Sequence, residues 1–233
     1  MTEIRNKESY IRLLKEAENN NSDAQYEVGN YYYDGFEVDG EIIFEQNKIE
    51  AFKWIKRAFE NGNDYAMIRM ADFYSDGEIC DKNLDLAIEL YKKGIEKGIS
   101  FSAINLATIY RDKNEFEEAF KLYQAAQKLD KTNLIELAYC YHYGIGTKQN
   151  KYLALEIFHK IANDNSENRN NEFEVENANY YIGNYYLEGE IVEKSIKIAR
   201  EYLNKANADN DHRNANDLLL IIGRTELEKN TSH

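Results

Sequence analysis

The chain has 233 residues, no proline, 19 tyrosines, 30% charged residues and a formal net charge of -13. Such an acidic excess excludes the basic stripe that phosphate backbones and anionic membranes require, so neither is an expected partner, whereas a basic protein surface is. Two cysteines, Cys80 and Cys140, without metal or redox spacing exclude a disulfide framework and read as reduced thiols.

At the start, Met1-Thr-Glu-Ile-Arg-Asn-Lys-Glu8 lacks an apolar leader, and no later window would span a bilayer, so a cytoplasmic location is expected. The first predicted helix puts Tyr10, Leu13, Leu14 and Ala17 on one face. This class, B, recurs as Ala51-Trp54-Ile55-Ala58, Ala87-Leu90-Tyr91-Gly94, Ala119-Leu122-Tyr123-Ala126, Ala154-Ile157-Phe158-Ile161 and Ala199-Tyr202-Leu203-Ala206. A second class, A, carries a small residue, then an apolar-small pair, then Tyr: Ala24, Val28, Gly29 and Tyr32, with Gly35 beyond as a stop signal. It returns as Ala66-Met70-Ala71-Tyr74, Ser102-Leu106-Ala107-Tyr110, Asn133-Leu137-Ala138-Tyr141 and Ala178-Ile182-Gly183-Tyr186. Small residues at these positions let a neighbouring helix come close.

The order predicts one B helix (1–21), five A–B pairs (22–62, 63–99, 100–130, 131–173 and 174–208) and a last A-like helix and tail (209–233), all in one repeat domain. That last helix, Asp211 to Ile222, bears Ala215, Leu219 and Leu220. Ser22-Asp-Ala-Gln25 and Asn47-Lys-Ile-Glu50 read as capping boxes or close relatives of them. Asn61-Gly62-Asn63, Gly98-Ile-Ser100 and Asp130-Lys-Thr132 mark turns. Phe36 to Gln46 and Asn163 to Phe173 read as surface loops, the second partly disordered. Phe36, Val38, Ile42, Ile43 and Phe44 are either part of a binding face or a flap folded onto the adjacent helices.

Ala178-Asn-Tyr-Tyr-Ile-Gly-Asn-Tyr-Tyr-Leu-Glu-Gly189 and Ala51-Phe-Lys-Trp-Ile-Lys-Arg-Ala58, with the link Tyr141-His-Tyr-Gly-Ile-Gly146 and the run Asn150-Lys-Tyr-Leu-Ala154, resemble the Sel-one-like repeat, a relative of the tetratricopeptide repeat. The resemblance covers roughly residues 9 to 222, and departs at Tyr110-Arg-Asp-Lys-Asn-Glu115, which lacks the glycines. It implies an all-α fold, an α-solenoid of antiparallel helix pairs in a right-handed superhelix whose A helices line a concave face. It also implies protein–protein binding without catalysis.

If Val28, Gly29 and Tyr32 pack between helices, then Tyr26, Asn30 and Tyr33 point to the inner face. The same offsets give Ile68, Asp72 and Ser75; Ile104, Thr108 and Arg111; Ile135, Tyr139 and His142; and Tyr180, Asn184 and Leu187. Aromatic and aliphatic anchors mixed with short polar groups suit a protein or peptide ligand. Neither cofactor nor metal is expected: His142, His159, His212 and His233 lack ligand spacing, His159 takes an exposed place on its helix, and Tyr143-Gly-Ile-Gly146 is too short for a phosphate loop. An enzyme is not expected; a hydrolase using His142 and a nearby carboxylate is the catalytic alternative. The expected function is a binding module, in its most pointed form an immunity protein that neutralises a basic bacterial toxin, or else an adaptor of a signalling or envelope complex. Monomer and homodimer both stay open, with the first B helix a cap or a dimer seam.

Overall fold

The computed structural model describes residues 7–131, 134–164 and 171–231. The chain divides into two compact units, Met1–Leu106 and Ala107–His233. In the first, α1 (Lys7–Glu18) and α2 (Ser22–Asp34) precede a hairpin of β1 (Phe36–Val38) and β2 (Glu41–Phe44). Helices α3 (Lys48–Glu60), α4 (Asp64–Asp76) and α5 (Leu84–Glu96) follow, and α6 (Ser100–Asp112) runs across the boundary. The second unit continues with α7 (Phe116–Leu129), α8 (Ile135–Tyr143), α9 (Lys151–Ala162), α10 (Glu172–Glu188), α11 (Ile196–Ala206) and α12 (Arg213–Thr231). The predicted alternation of B and A helices is present throughout, so the fold is an all-α solenoid of helix pairs. Among the described residues, no helix is long and apolar enough to cross a membrane.

Asparagine starts six of the twelve described helices. Asn21, Asn47, Asn63, Asn83, Asn150 and Asn171 each turn a side-chain oxygen back onto backbone N–H groups of the first turn. Each such cap is worth about 1 kcal/mol. The Asn47 cap agrees with the predicted one, but that at Ser22 does not: Asn21 accepts from Asp23 and Ala24, both at 3.0 Å. Gln25, freed from capping, is fully buried; its amide donates to the Ala17 carbonyl (2.9 Å) and accepts from Asn61 (2.8 Å), pinning the ends of α1 and α3 to α2.

Both predicted stripes form the core. Ala24, Val28, Ala66, Met70, Ala71, Leu106, Ala107, Leu137, Ala138, Ala178 and Ile182 are buried, as are Leu13, Ala51, Ile55, Leu90, Ile157, Phe158 and Leu203 of the B helices. Close approach is real at Gly29, where a Cβ would lie 2.6 Å from Ile55 Cδ1 and 3.2 Å from the Ile55 backbone nitrogen. Gly29→Val is therefore expected to cost about 1–3 kcal/mol by overpacking. Urea unfolding measures it; a loss below about 0.5 kcal/mol, the range of a neutral surface change, would mean that α2 and α3 are not in contact here.

The segment 36–46 is not a loop. Phe36 faces Phe44 and Val38 faces Glu41 across an antiparallel ladder. Asp39 (φ 53) and Gly40 (φ 81) make the two-residue turn, both in the left-handed region that an Asp-Gly hairpin turn demands. Of the two readings left open for its apolar side chains, the flap is the observed one. Phe44 is 2% exposed in a core cluster with Leu13, Ala17, Ala24 and Val28, and Phe36, Val38 and Ile43 pack against it. Ile42 alone of the five stands out, 63% exposed.

In the second unit the predicted long loop, 163–173, ends early, because Asn171 caps α10 and Phe173 is already helical; residues 165–170 of this stretch, expected to be partly disordered, lie outside the described residues. The last helix reaches Thr231, beyond the predicted Ile222. Its Ala215 is buried, but Leu220 is 52% exposed. His159 also departs from expectation: it is half-buried, its ring 5.7 Å from that of Tyr202 at 74°. Thr132, Asn133 and His233 lie outside the described residues.

Candidate functional site

Counting from the first small residue of each A helix, the predicted inner-face side chains sit at offsets two, six and nine. The structure adds offset three, which sequence reasoning missed. In each observed case it reaches back to offset six or nine of the preceding A helix. In the first unit, Arg69 donates to Asn30 Oδ1 (3.4 Å) and lies over the Tyr33 ring at 4.7 Å. Asn105 donates to Asp72 Oδ1 at 2.9 Å. In the second unit, Glu136 faces Arg111 at 4.0 Å, and the Tyr181 ring lies 5.5 Å from Tyr139 and 4.9 Å from His142. These side-chain rungs tie successive A helices along the face predicted to bind.

The thirteen predicted site residues therefore divide. Tyr26 rests against Tyr65, ring centroids 6.1 Å apart, and Asn30 and Tyr33 hold Arg69. Ile68 is not on an open face: it is 7% exposed and fills the space over Gly94. Asp72 turns into the α4–α5 seam, where it accepts from Tyr91 (2.7 Å) as well as Asn105. Ser75 and Thr108 are half-buried and Arg111 is exposed. Tyr139 and His142 join an aromatic cluster. Tyr180 and Leu187 pack on the terminal core of Leu203, Ala206, Ala215 and Ile222, and Tyr180 stacks on His212 at 5.1 Å. Asn184 donates to Glu188 at 2.8 Å. Of the two positions named only by offset, Ile135 is 8% exposed and Ile104 half-buried.

Electrostatics follow burial. Desolvation raises the Asp72 carboxyl, although Tyr91, Arg69 and Asn105 pull it back; burial likewise raises Glu136. Glu174 is raised by burial and by the charge of Glu136. The Cys140 thiol is pushed up to about 12, chiefly by burial, so it is an inert core group. Because the folded protein holds the Asp72 proton more tightly than the unfolded chain does, that stabilisation is present at acid pH and lost as pH rises through the raised value. Asp72→Asn, which cannot ionise, is expected to gain on the wild type in denaturant titrations as pH rises from about 4 to about 7, the range around and above an ordinary carboxylate pKa; parallel curves would contradict this.

His142, the residue of the hydrolase alternative, lies among rings, 4.9 Å from that of Tyr181 and 5.4 Å from that of Tyr185. Its Nδ1 is hydrogen-bonded to the hydroxyl of Tyr185, a residue 1% exposed. Burial and then Lys151 depress its pKa, against the opposing pull of Glu188 and Glu190. Glu172, Glu176 and Asp209 bring carboxylate oxygens within 4.8 Å of one another, the arrangement nearest to a metal-ligand set among the described residues; burial and this crowding raise Glu176.

Helix hairpins joined by rungs, with rings and carboxylates left at the surface, define a helical-repeat scaffold of the protein-binding class. Sel1 repeats match residues 22–63, 64–99, 105–130, 134–166 and 177–211, and the chain belongs to the Sel1 repeat family. Sel1 repeats mediate protein–protein interaction and are generally not catalytic. No curated protein matches the chain. Among solved structures, the chain is similar to c5321, a protective antigen of uropathogenic Escherichia coli with an SLR fold (TM-score 0.69, 23% identity). It covers 87% of this chain but 41% of that one. A Sel1 repeat protein from Oxalobacter formigenes follows (TM-score 0.67, 20% identity, 84% of this chain and 76% of that one). The immunity protein Pa5087 from Pseudomonas aeruginosa shares the fold at TM-score 0.50 and 20% identity, over 83% of this chain and 67% of that one.

Proposed function

We propose that this chain is a non-catalytic binder of a basic protein, acting in the cytoplasm as an immunity protein that neutralises a basic toxin. The observation that carries this is the exposure of large rings on A helices: Tyr65 is 59% exposed, Phe101 60% and Tyr143 56%. Rings left in water on a chain of net charge -13 suit a partner that brings both apolar contact and positive charge. A ring has few torsions to freeze on binding, so such anchors contribute affinity at small entropic cost. The shared fold with an immunity protein supports the reading at the level of architecture alone.

Affinity capture from a lysate of the native cells tests it. An inhibitor retains one tight, basic, salt-sensitive partner, and co-expression with that partner restores growth that the partner alone arrests. Several weak partners, with no growth protection, would instead assign an adaptor of a signalling or envelope complex.

A further inference from the structure

The second unit carries a tyrosine floor built by α8 and α10. Tyr139 and Tyr143 come from α8, Tyr180 and Tyr181 from α10. Tyr181 is stacked on fully buried Phe158 of α9, centroids 4.7 Å apart and planes 1° from parallel. The Tyr143 and Tyr181 hydroxyls are 2.7 Å apart, which fixes the exposed ring of Tyr143 to the supported one. Tyr139 and Tyr180 flank Tyr181 at 5.5 and 5.2 Å. These rings are held before any partner arrives.

The rim is negative. Glu136 and Glu174 stand close enough for one to raise the other's pKa, and Glu188 raises that of Tyr180. Among the described residues, Lys151 pairs with Glu190, and Arg111 lies 4.0 Å from Glu136. The chain itself shows what its rings attract, since Arg57 lies over Trp54 at 4.5 Å, Arg69 over Tyr33 at 4.7 Å and Lys205 over Tyr202 at 4.9 Å.

We propose that this floor receives an arginine-bearing segment of the basic protein, guanidinium groups lying on the Tyr143 and Tyr181 rings and pairing with the Glu174 carboxylate. Arginine fits better than lysine because its planar group stacks and pairs at once. Occupation also offsets the charge that Glu136 places on Glu174. This inference rests on the basic-partner reading above and assigns that partner a place.

The test uses the full chain and fluorescein-labelled octa-arginine, octa-lysine and octa-glutamate peptides, with binding followed by anisotropy at low salt. Octa-arginine is expected to bind more tightly than octa-lysine, and octa-glutamate not at all. Tyr143→Ala is expected to weaken octa-arginine about tenfold, in line with one desolvated cation–ring contact. Tyr152→Ala, which removes an exposed tyrosine from α9, should retain binding. Glu174→Gln should weaken binding and flatten its salt dependence. Salt-sensitive binding indifferent to Tyr143 and Glu174 would overturn this placement while leaving the basic-partner reading intact. No binding of either cationic peptide would overturn both.

Discussion

Phe158→Ala is expected to destabilise the second unit by about 3–5 kcal/mol, the usual cost of emptying a buried aromatic site. Phe158 is fully buried, stacked on Tyr181, with Tyr139 at 6.1 Å and both His142 and Tyr185 at 6.5 Å. Removing it forfeits transfer free energy and leaves a cavity lined by rings that cannot collapse without breaking their own edge and face contacts. Tyr181 would lose its support, so the surface above loosens as stability falls. Urea unfolding of the full chain, followed by resolved tyrosine signals of Tyr181 and Tyr185, measures both effects. Phe158→Leu keeps most of the buried area and should lose clearly less. A Phe158→Ala loss under about 1 kcal/mol, typical of an average substitution, would mean that this ring is not the keystone of the unit.

Phe44→Ala should have a comparable effect in the first unit, again about 3–5 kcal/mol. Its ring meets Tyr10 at 5.0 Å and Tyr32 at 4.9 Å, both edge-on, and stacks with Tyr31 at 5.3 Å. Such pairs add about 0.5–1.5 kcal/mol beyond the area they bury. A two-stranded hairpin is marginal in water on its own, so the loss of its buried anchor should release it from α1 and α2. Amide exchange then reports the hairpin opening before the helices. Ile42→Ser, on the exposed side of the same strand, is the contrast, with a change within about 0.5 kcal/mol. Equal effects at the two positions would place the hairpin wrongly.

How much of this was legible in the sequence depends on whether the signal was local. The A and B stripes were, because a helix buries residues at fixed intervals and the chain repeats them; Val28, Ile182 and Leu203 are all fully buried. The hairpin left a local signal too. Asp39-Gly40 between alternating apolar residues predicts it, but reading the segment only as an interruption of the repeat hid that. Gln25 was misassigned because a cap and a buried bridge use the same side chain, and only the position of Asn61 decides between them. The rungs were not legible from one helix, since which offset faces the preceding repeat depends on the rotation between helices. Their trace lies in complementary types across neighbouring copies: Arg69 for Asn30 and Tyr33, Asn105 for Asp72, Glu136 for Arg111. Offset two shows the same limit, partly exposed at Tyr26 yet core at Ile68.

In the proposed function, a preorganised aromatic surface on an acidic repeat array grips a positively charged protein. Calorimetric titration of the purified chain with the protein it captures, at about 50 mM and about 500 mM salt, tests this most directly, because the Debye length shrinks roughly threefold over that range. A saturable one-to-one complex that weakens at least about tenfold at the higher salt is the predicted result. An affinity indifferent to salt, or a captured partner that is itself acidic, would contradict it.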